Sequence, residues 1–170
     1  LPHAQVLTSE GKAFPVETQH LSPRPNEPLE ARVLRAIEQE IAHLLITEES
    51  RNHPPTVLVF LPGLREIERC RQRLLKSGLL SQWEIIALHG RQSLAEQGRA
   101  LKPCNHKHDG RVILATSIAE SSLTLDGVRL VIDCGLTRHT QLDPGTGMEG
   151  LITVPARQAS ADQRRGRAGR

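Results

Sequence analysis

Residues 56–63 read TVLVFLPG: an unbroken apolar, β-branched run from Thr56 to Leu61, stopped by Pro62-Gly63. A strand with one wet face alternates polar and apolar residues, so a continuous run of this length implies a strand buried on both faces. Immediately downstream, Leu64, Ile67, Cys70 and Leu74 recur at helical spacing, and Gly78 closes the stretch. An amphipathic helix therefore follows the strand. The alternation continues outward. Glu84–Leu88 reads as a strand, Leu94–Leu101 as a helix, Cys104–Gly110 as a polar loop, and Arg111–Ala115 and Leu130–Asp133 as two further strands. Upstream, Leu29, Val33, Ala36, Ile37, Ile41, Leu44 and Leu45 make one face of a helix from about Pro28 to Ile46, with Asn26 as its cap.

Strands that alternate with helices fold as β-α-β crossovers. The expected fold class is thus α/β, a parallel sheet with helices on both faces. In such sheets ligands bind beyond the carboxyl ends of the strands. The informative loops are those after Leu61, Leu88, Ala115 and Asp133. Beyond Asp133 the pattern changes. Thr137–Leu142 and Gly150–Val154 flank the turn-rich Asp143-Pro144-Gly145-Thr146-Gly147, which predicts an antiparallel β-hairpin at about 137–155. Residues 1–25 read as a Pro-rich linker with a short first strand at Val16–Leu21, and residues 26–170 as the domain.

With 170 residues and 38% hydrophobic content, the chain can bury a core without metal or disulfide staples. Cys70, Cys104 and Cys134 are odd in number and widely spaced, which predicts a reducing, cytoplasmic setting. No apolar run is long enough to span a membrane. Leu1–Glu10 lacks the basic and apolar regions of a signal peptide, and without an initiator Met the chain reads as a piece of a longer one. Three aromatics, Phe14, Phe60 and Trp83, are too few for a base-stacking surface. The net charge is +3, and residues 161–170 carry all of it: Arg164, Arg165, Arg167 and Arg170 against Asp162. A neutral body with one arginine cluster suits one specific anionic ligand better than a polybasic binder.

Two segments carry chemistry. In Gln163–Arg170 (QRRGRAGR), Arg167 and Arg170 are three apart and share a face if helical. Guanidiniums so placed can fork onto phosphate oxygens, and Gly166 and Gly169 keep that face slim. A solvated basic tail has the same composition. In Ala115–Gly127 (ATSIAESSLTLDG), five hydroxyls and two carboxylates follow a buried strand. They can hold phosphate or ribose, or simply cap a short helix. Cys104, His106 and His108 offer three ligands in a loop with no fourth, so they read as solvated and no metal site is expected.

Together the two segments resemble motifs five and six of DEAH-box helicases of superfamily two, in order, in placement after a strand, and with a hairpin between them. Val57–Gly63 with Glu66-Ile67-Glu68 resembles motif four, Leu88-His89-Gly90 the segment before the hook-like turn, and Glu10–Glu17 the link from the first helicase domain. The overall shape is nearest to the bacterial HrpB type. The chain contains neither a G-x-x-x-x-G-K-[ST] loop nor an Asp-Glu-Ala-His box. It therefore resembles the second RecA-like domain alone, ending at the last motif arginine.

The resemblance implies an ATP-dependent helicase acting on single-stranded or partly duplex RNA, with DNA as the alternative substrate. A second reading is an ATP-gated RNA-binding or remodelling protein without unwinding. It implies ATP and Mg2+ as cofactors, with the metal ligands and phosphate loop in the first RecA-like domain of the same chain. It assigns Arg170 as arginine finger, Arg167 as its partner on the γ-phosphate, and Gln163 to the attacking water or phosphate. Ser122 would sense the γ-phosphate, and Thr124 and Asp126 would meet the ribose side. Thr116, Gly63, Gly90 and Arg91 would lie along the nucleic acid. The hairpin would wedge between strands of a duplex. On this resemblance Arg164 lies off the 167/170 face.

Overall fold

Strand β1 (Thr56–Phe60) is buried along its whole length inside a four-stranded parallel sheet. The order across the sheet is β2 (Trp83–Leu88), β3 (Gly110–Ala115), β1 and β4 (Val128–Asp133). The register sets Leu88 and Phe60 opposite Ala115, and Asp133 opposite Phe60. All four strands thus finish level at one edge. The computed structural model describes residues 15–46, 53–120, 123–142, 144–145 and 147–168.

Successive β1 side chains point to opposite faces, and each face has its own core. Val57 and Val59, with Val112 and Leu114 of β3, pack beneath α1 (Leu29–Ile46) and α2 (Leu64–Ser77). Val33, Leu34 and Ile37 from α1 and Ile67, Cys70 and Leu74 from α2 fill that layer. Leu58 and Phe60, with Ile113 and Ala115, pack against Ala100 of α3 (Leu94–Leu101) and against Ala119 and Leu125. Burying each large side chain contributes about 1.5–3 kcal/mol, so these two layers are the main source of stability. The expected doubly covered α/β sheet is present.

The ends of the elements have local causes. Helix α3 starts in a reciprocal capping box, in which Ser93 Oγ accepts from Glu96 N–H and the Glu96 carboxylate accepts from Ser93 N–H. Helix α1 does not start as expected. Asn26 has φ 57° and sits in a turn, and the carbonyl of Pro28 accepts the first helical bond, from Arg32 N–H. The expected strand at Val16–Leu21 is not formed either, since residues 15–24 have no regular structure. This stretch is tied by side chains instead of a ladder: Arg35 donates to Ser22 O, and Arg24 N–H donates to Glu27 Oε2. The rest of the expected linker, residues 1–14, lies outside the described residues.

The hairpin consists of β5 (Leu136–Leu142) and β6 (Glu149–Pro155), paired antiparallel from Leu136 opposite Pro155 to Leu142 opposite Glu149. Asp143 and Thr146 of its turn are outside the described residues. Helix α4 (Gln158–Arg165) follows and returns to the end of β4.

Candidate nucleotide and nucleic-acid site

At the carboxyl edge the ladder continues for one more step. Leu61 N–H donates to Ala115 O (2.8 Å), Thr116 N–H to Leu88 O (3.1 Å), and Cys134 N–H to Phe60 O (3.4 Å). The four loops therefore leave from one line. After β2, Gln92 staples a tight turn: its Oε1 accepts from His89 N–H and its Nε2 donates to Ala87 O. Gly90 and Arg91 stand exposed at the tip. After β1, Gly63 is buried against the hairpin root. A Cβ there would lie 2.5 Å from Arg138 Cζ, so close approach is what a larger residue would disturb. The Arg138 guanidinium, from β5, also pairs with Glu66 of α2 at 3.3 Å. Thr116, Gly63, Gly90 and Arg91 are thus brought to one edge.

Residues 116–127 do not stay there. After a single 3-10 turn at Ser117–Ala119, the chain runs along the Phe60 face of the sheet and buries Ala119 and Leu125 on the way. It arrives at the other end, where Gly127 O accepts from Thr56 N–H at 2.8 Å. Gly127 turns the chain into β4 at φ 66°, a left-handed conformation that suits glycine. Asp126, exposed, is therefore at the amino end of β1, roughly 15 Å from Thr116 at about 3.3 Å per strand residue. Of the segment that follows β3, only the beginning therefore lies on the carboxyl edge. Thr124, also exposed, is two residues short of Asp126. Ser122 lies outside the described residues.

Helix α4 lies along this segment, and its arginines are not arranged as expected. Arg164, expected to lie off the functional face, is only 2% exposed. Its Nε and NH2 reach Glu120 Oε1 at 2.8 and 2.7 Å, and its NH1 reaches Asp133 Oδ1 at 2.8 Å and Leu136 O at 3.3 Å. Its Cζ lies 5.1 Å from the centre of the Phe60 ring. Burial is the largest single influence and opposes the charge. The hydrogen bonds to Asp133 and Glu120 outweigh it, and the guanidinium stays above its usual range. Arg167, 4% exposed, donates from Nε and NH2 to Glu120 O and from NH1 to Leu123 O. The helix ends at Arg165, and Gly166 N–H still donates to Asp162 O. The pair brought onto the 116–127 segment is accordingly Arg164 and Arg167. Gln163 is exposed, and Arg170 is outside the described residues.

The remaining candidates are inert. Burial pushes the Cys70 thiol up to about 12 and also raises Cys104 and Cys134, so none is a ready nucleophile. Among the described residues, no group of three His, Cys, Asp or Glu is placed to hold a metal ion. No helix among them is long and apolar enough to cross a membrane. Thr124, Asp126 and Gln163 stand exposed and offer a hydroxyl, a carboxylate and an amide, groups able to hydrogen-bond the hydroxyls of a ribose. Sequence reasoning missed Arg164, Glu120 and Arg138. The available signal was two acids, Glu120 and Asp133, each near the end of a buried strand with no adjacent base in the sequence.

Beyond the parallel sheet and its arginine-bearing helix, comparison with known proteins places the chain in a class of helicase domains. The chain belongs to that family: the helicase conserved C-terminal domain matches residues 35–170. More particularly, it is a second RecA-like domain of the DEAH-box type. It is 41% identical to the ATP-dependent RNA helicase HrpB of Escherichia coli (strain K12), over 100% of this chain and 20% of that protein. It is 37% identical to a putative pre-mRNA-splicing factor ATP-dependent RNA helicase of Schizosaccharomyces pombe, over 96% of this chain and 25% of that protein. The crystal structure of the E. coli DExH-box NTPase HrpB superimposes with a TM-score of 0.78 at 38% identity, covering 94% of this chain and 18% of that one. The chain thus spans about a fifth to a quarter of these relatives.

Proposed function

We propose that the protein containing this domain is an ATP-dependent helicase acting on RNA, and that this domain is the second half of its motor. The observation that carries the reading is the course of residues 116–127. One end is at the edge shared by Thr116, Gly63, Gly90 and Arg91, and the other brings Asp126 to the far end of the sheet. A strand of nucleic acid on the first end and a nucleotide near the second are then served by one segment. ATP with Mg2+ supplies the phosphoryl group whose transfer to water releases the driving free energy. The phosphate loop and metal ligands belong to a preceding RecA-like domain of the same protein.

On this reading each residue has a task. Thr124 and Asp126 bind the ribose side, Ser122 senses the terminal phosphate, and Gln163 orients water. From Arg164 to Arg167 the chain advances from Glu120 to Leu123, toward Thr124. Arg170, three residues further along the sequence, acts as the finger, placing positive charge where it develops in phosphoryl transfer. Arg167 can meet a phosphate only by exchanging its carbonyl partners for phosphate oxygens, so its first task is to fix the segment. The hairpin separates strands: Leu142, Met148 and Leu151 are 57, 70 and 61% exposed near its tip, an apolar blade suited to stacking against a base pair. The protein works in the cytoplasm, where its free cysteines stay reduced.

The test is ATP hydrolysis by the full-length protein with and without single-stranded RNA or DNA, together with displacement of a labelled strand from a partial duplex. Hydrolysis stimulated by RNA with strand release is expected. Absence of RNA-stimulated hydrolysis overturns the reading, and stimulated hydrolysis without strand release favours the ATP-gated binding protein.

A further inference from the structure

We infer that Arg164 is a positioning residue that couples the nucleic-acid edge to the nucleotide end of the domain. The inference rests on the proposed function and goes beyond it, because Arg164 touches neither ligand. Its guanidinium is buried and spent on protein acceptors from three separate segments: Glu120 after β3, Asp133 at the end of β4, and Leu136 O at the base of the hairpin. Phe60, the last residue of β1, lies under it.

A need for stability alone explains this poorly. Burying a charge costs desolvation, and well-packed apolar groups often do as well or better. What a guanidinium adds is a rigid fork that fixes several acceptors in one geometry. Those acceptors matter here. Glu120 is four residues beyond Thr116 and is joined to it by a 3-10 turn, with Ala119 N–H on Thr116 O and Glu120 N–H on Ser117 O. The turn is short and internally bonded, so a displacement of Thr116 by a docked strand carries Glu120 with it. Glu120 is gripped at both ends, its carboxylate by Arg164 and its carbonyl by Arg167. Both arginines are on the chain that leads to Arg170. A shift at the nucleic-acid edge therefore reaches helix α4 through Glu120 and Arg164.

The test uses the full-length protein with Glu120→Gln, Arg164→Lys, the double variant, and Arg165→Ala as control. Glu120→Gln keeps the side-chain size and leaves Arg164 its bond to Asp133, so it guards against a folding failure at Arg164. The readout is the ratio of ATP turnover at saturating poly(U) to turnover without it, alongside poly(U) affinity. In Glu120→Gln and Arg164→Lys that ratio is expected to fall about tenfold, with unstimulated turnover and affinity within about twofold. The double variant should be no worse than the poorer single one, since both break one link. The exposed Arg165, which pairs with its helix neighbour Asp162 at 3.5 Å, should leave the ratio unchanged. Equal loss of stimulated and unstimulated turnover, or a ratio preserved in both variants, overturns the inference while the function stands. A wild type that RNA does not stimulate overturns the function and this inference with it.

Discussion

Strands β1 and β6 show two uses of the same kind of element. All five residues of β1 are buried, sandwiched between helices on one side and α3 with the 116–127 segment on the other. In β6 only Val154 is even half-buried, and the hairpin becomes more exposed toward its tip. The sheet is held by burial of its two faces; the hairpin is held by its own ladder and by its root, where Arg138 lies over Gly63 and pairs with Glu66. The contrast teaches a division of labour. On the proposed function the sheet positions groups for chemistry, and the hairpin projects a surface away from it.

The contrast breaks most visibly if hydrolysis is not confined to the sheet side. In the full-length protein, Arg170→Ala should cut ATP turnover by about 10³-fold or more with nucleotide binding almost intact, because the finger role proposed for Arg170 acts on the transition state. Strand release should fall with it. A loss confined to nucleotide affinity would make Arg170 a binding residue instead. A stability comparison comes next. Phe60→Ala empties a site between two packed layers and removes the ring beneath Arg164, which should cost about 3–5 kcal/mol in chemical denaturation of this chain. Leu151→Ala, on the exposed hairpin, should cost less than about 0.5 kcal/mol. Similar costs at the two sites would mean that the hairpin is part of the core.

The two regions were also read from sequence with different success. Val57–Leu61 and Val112–Ala115 announce buried strands because an unbroken apolar run rich in β-branched residues leaves no polar residue to face water on either side, and the hairpin declared itself through its turn residues. The short strand at Val16–Leu21 failed because local pattern cannot supply a neighbouring strand to bond with. Arg164 was hidden for a related reason. Its countercharges, Glu120 and Asp133, are 44 and 31 residues away, and the helical spacing that pairs Arg167 with Arg170 applies equally to Arg164 and Arg167. Motif resemblance identified the segment 115–127 but not its course, which depends on where Gly127 meets Thr56.

Removing residues 143–147 sharpens the division from the other side. The segment is at the far end of the hairpin from the Arg138–Glu66 root, so the sheet edge should be undisturbed. RNA-stimulated ATP turnover of the full-length protein should stay within about twofold, while strand displacement falls about tenfold or more, a loss restricted to the step proposed for the hairpin. Equal decline of both would show that the tip supports the core.

The smallest expected effect lies at the rim of the sheet domain, where helix α1 begins. Arg35 forks onto Glu27, with Nε to Oε1 and NH2 to Oε2 both at 2.7 Å, and Arg24 N–H adds a third donor at 3.2 Å. The hydrogen bonds from Arg35 are the main cause holding the Glu27 carboxyl at about 2. An unfolded chain returns it to about 4.3. The folded value is the lower one, so the folded state favours the ionised form. Its contribution is complete above the unfolded value and is lost as pH falls through the folded one, between about 4 and 2. Glu27→Gln cannot ionise. The stability difference between wild type and Glu27→Gln, measured by denaturant titration of this chain, should hold steady above pH 5 and shrink as the solution is acidified toward pH 2. A Glu27 difference that stays constant on acidification would remove the fork as the anchor of α1.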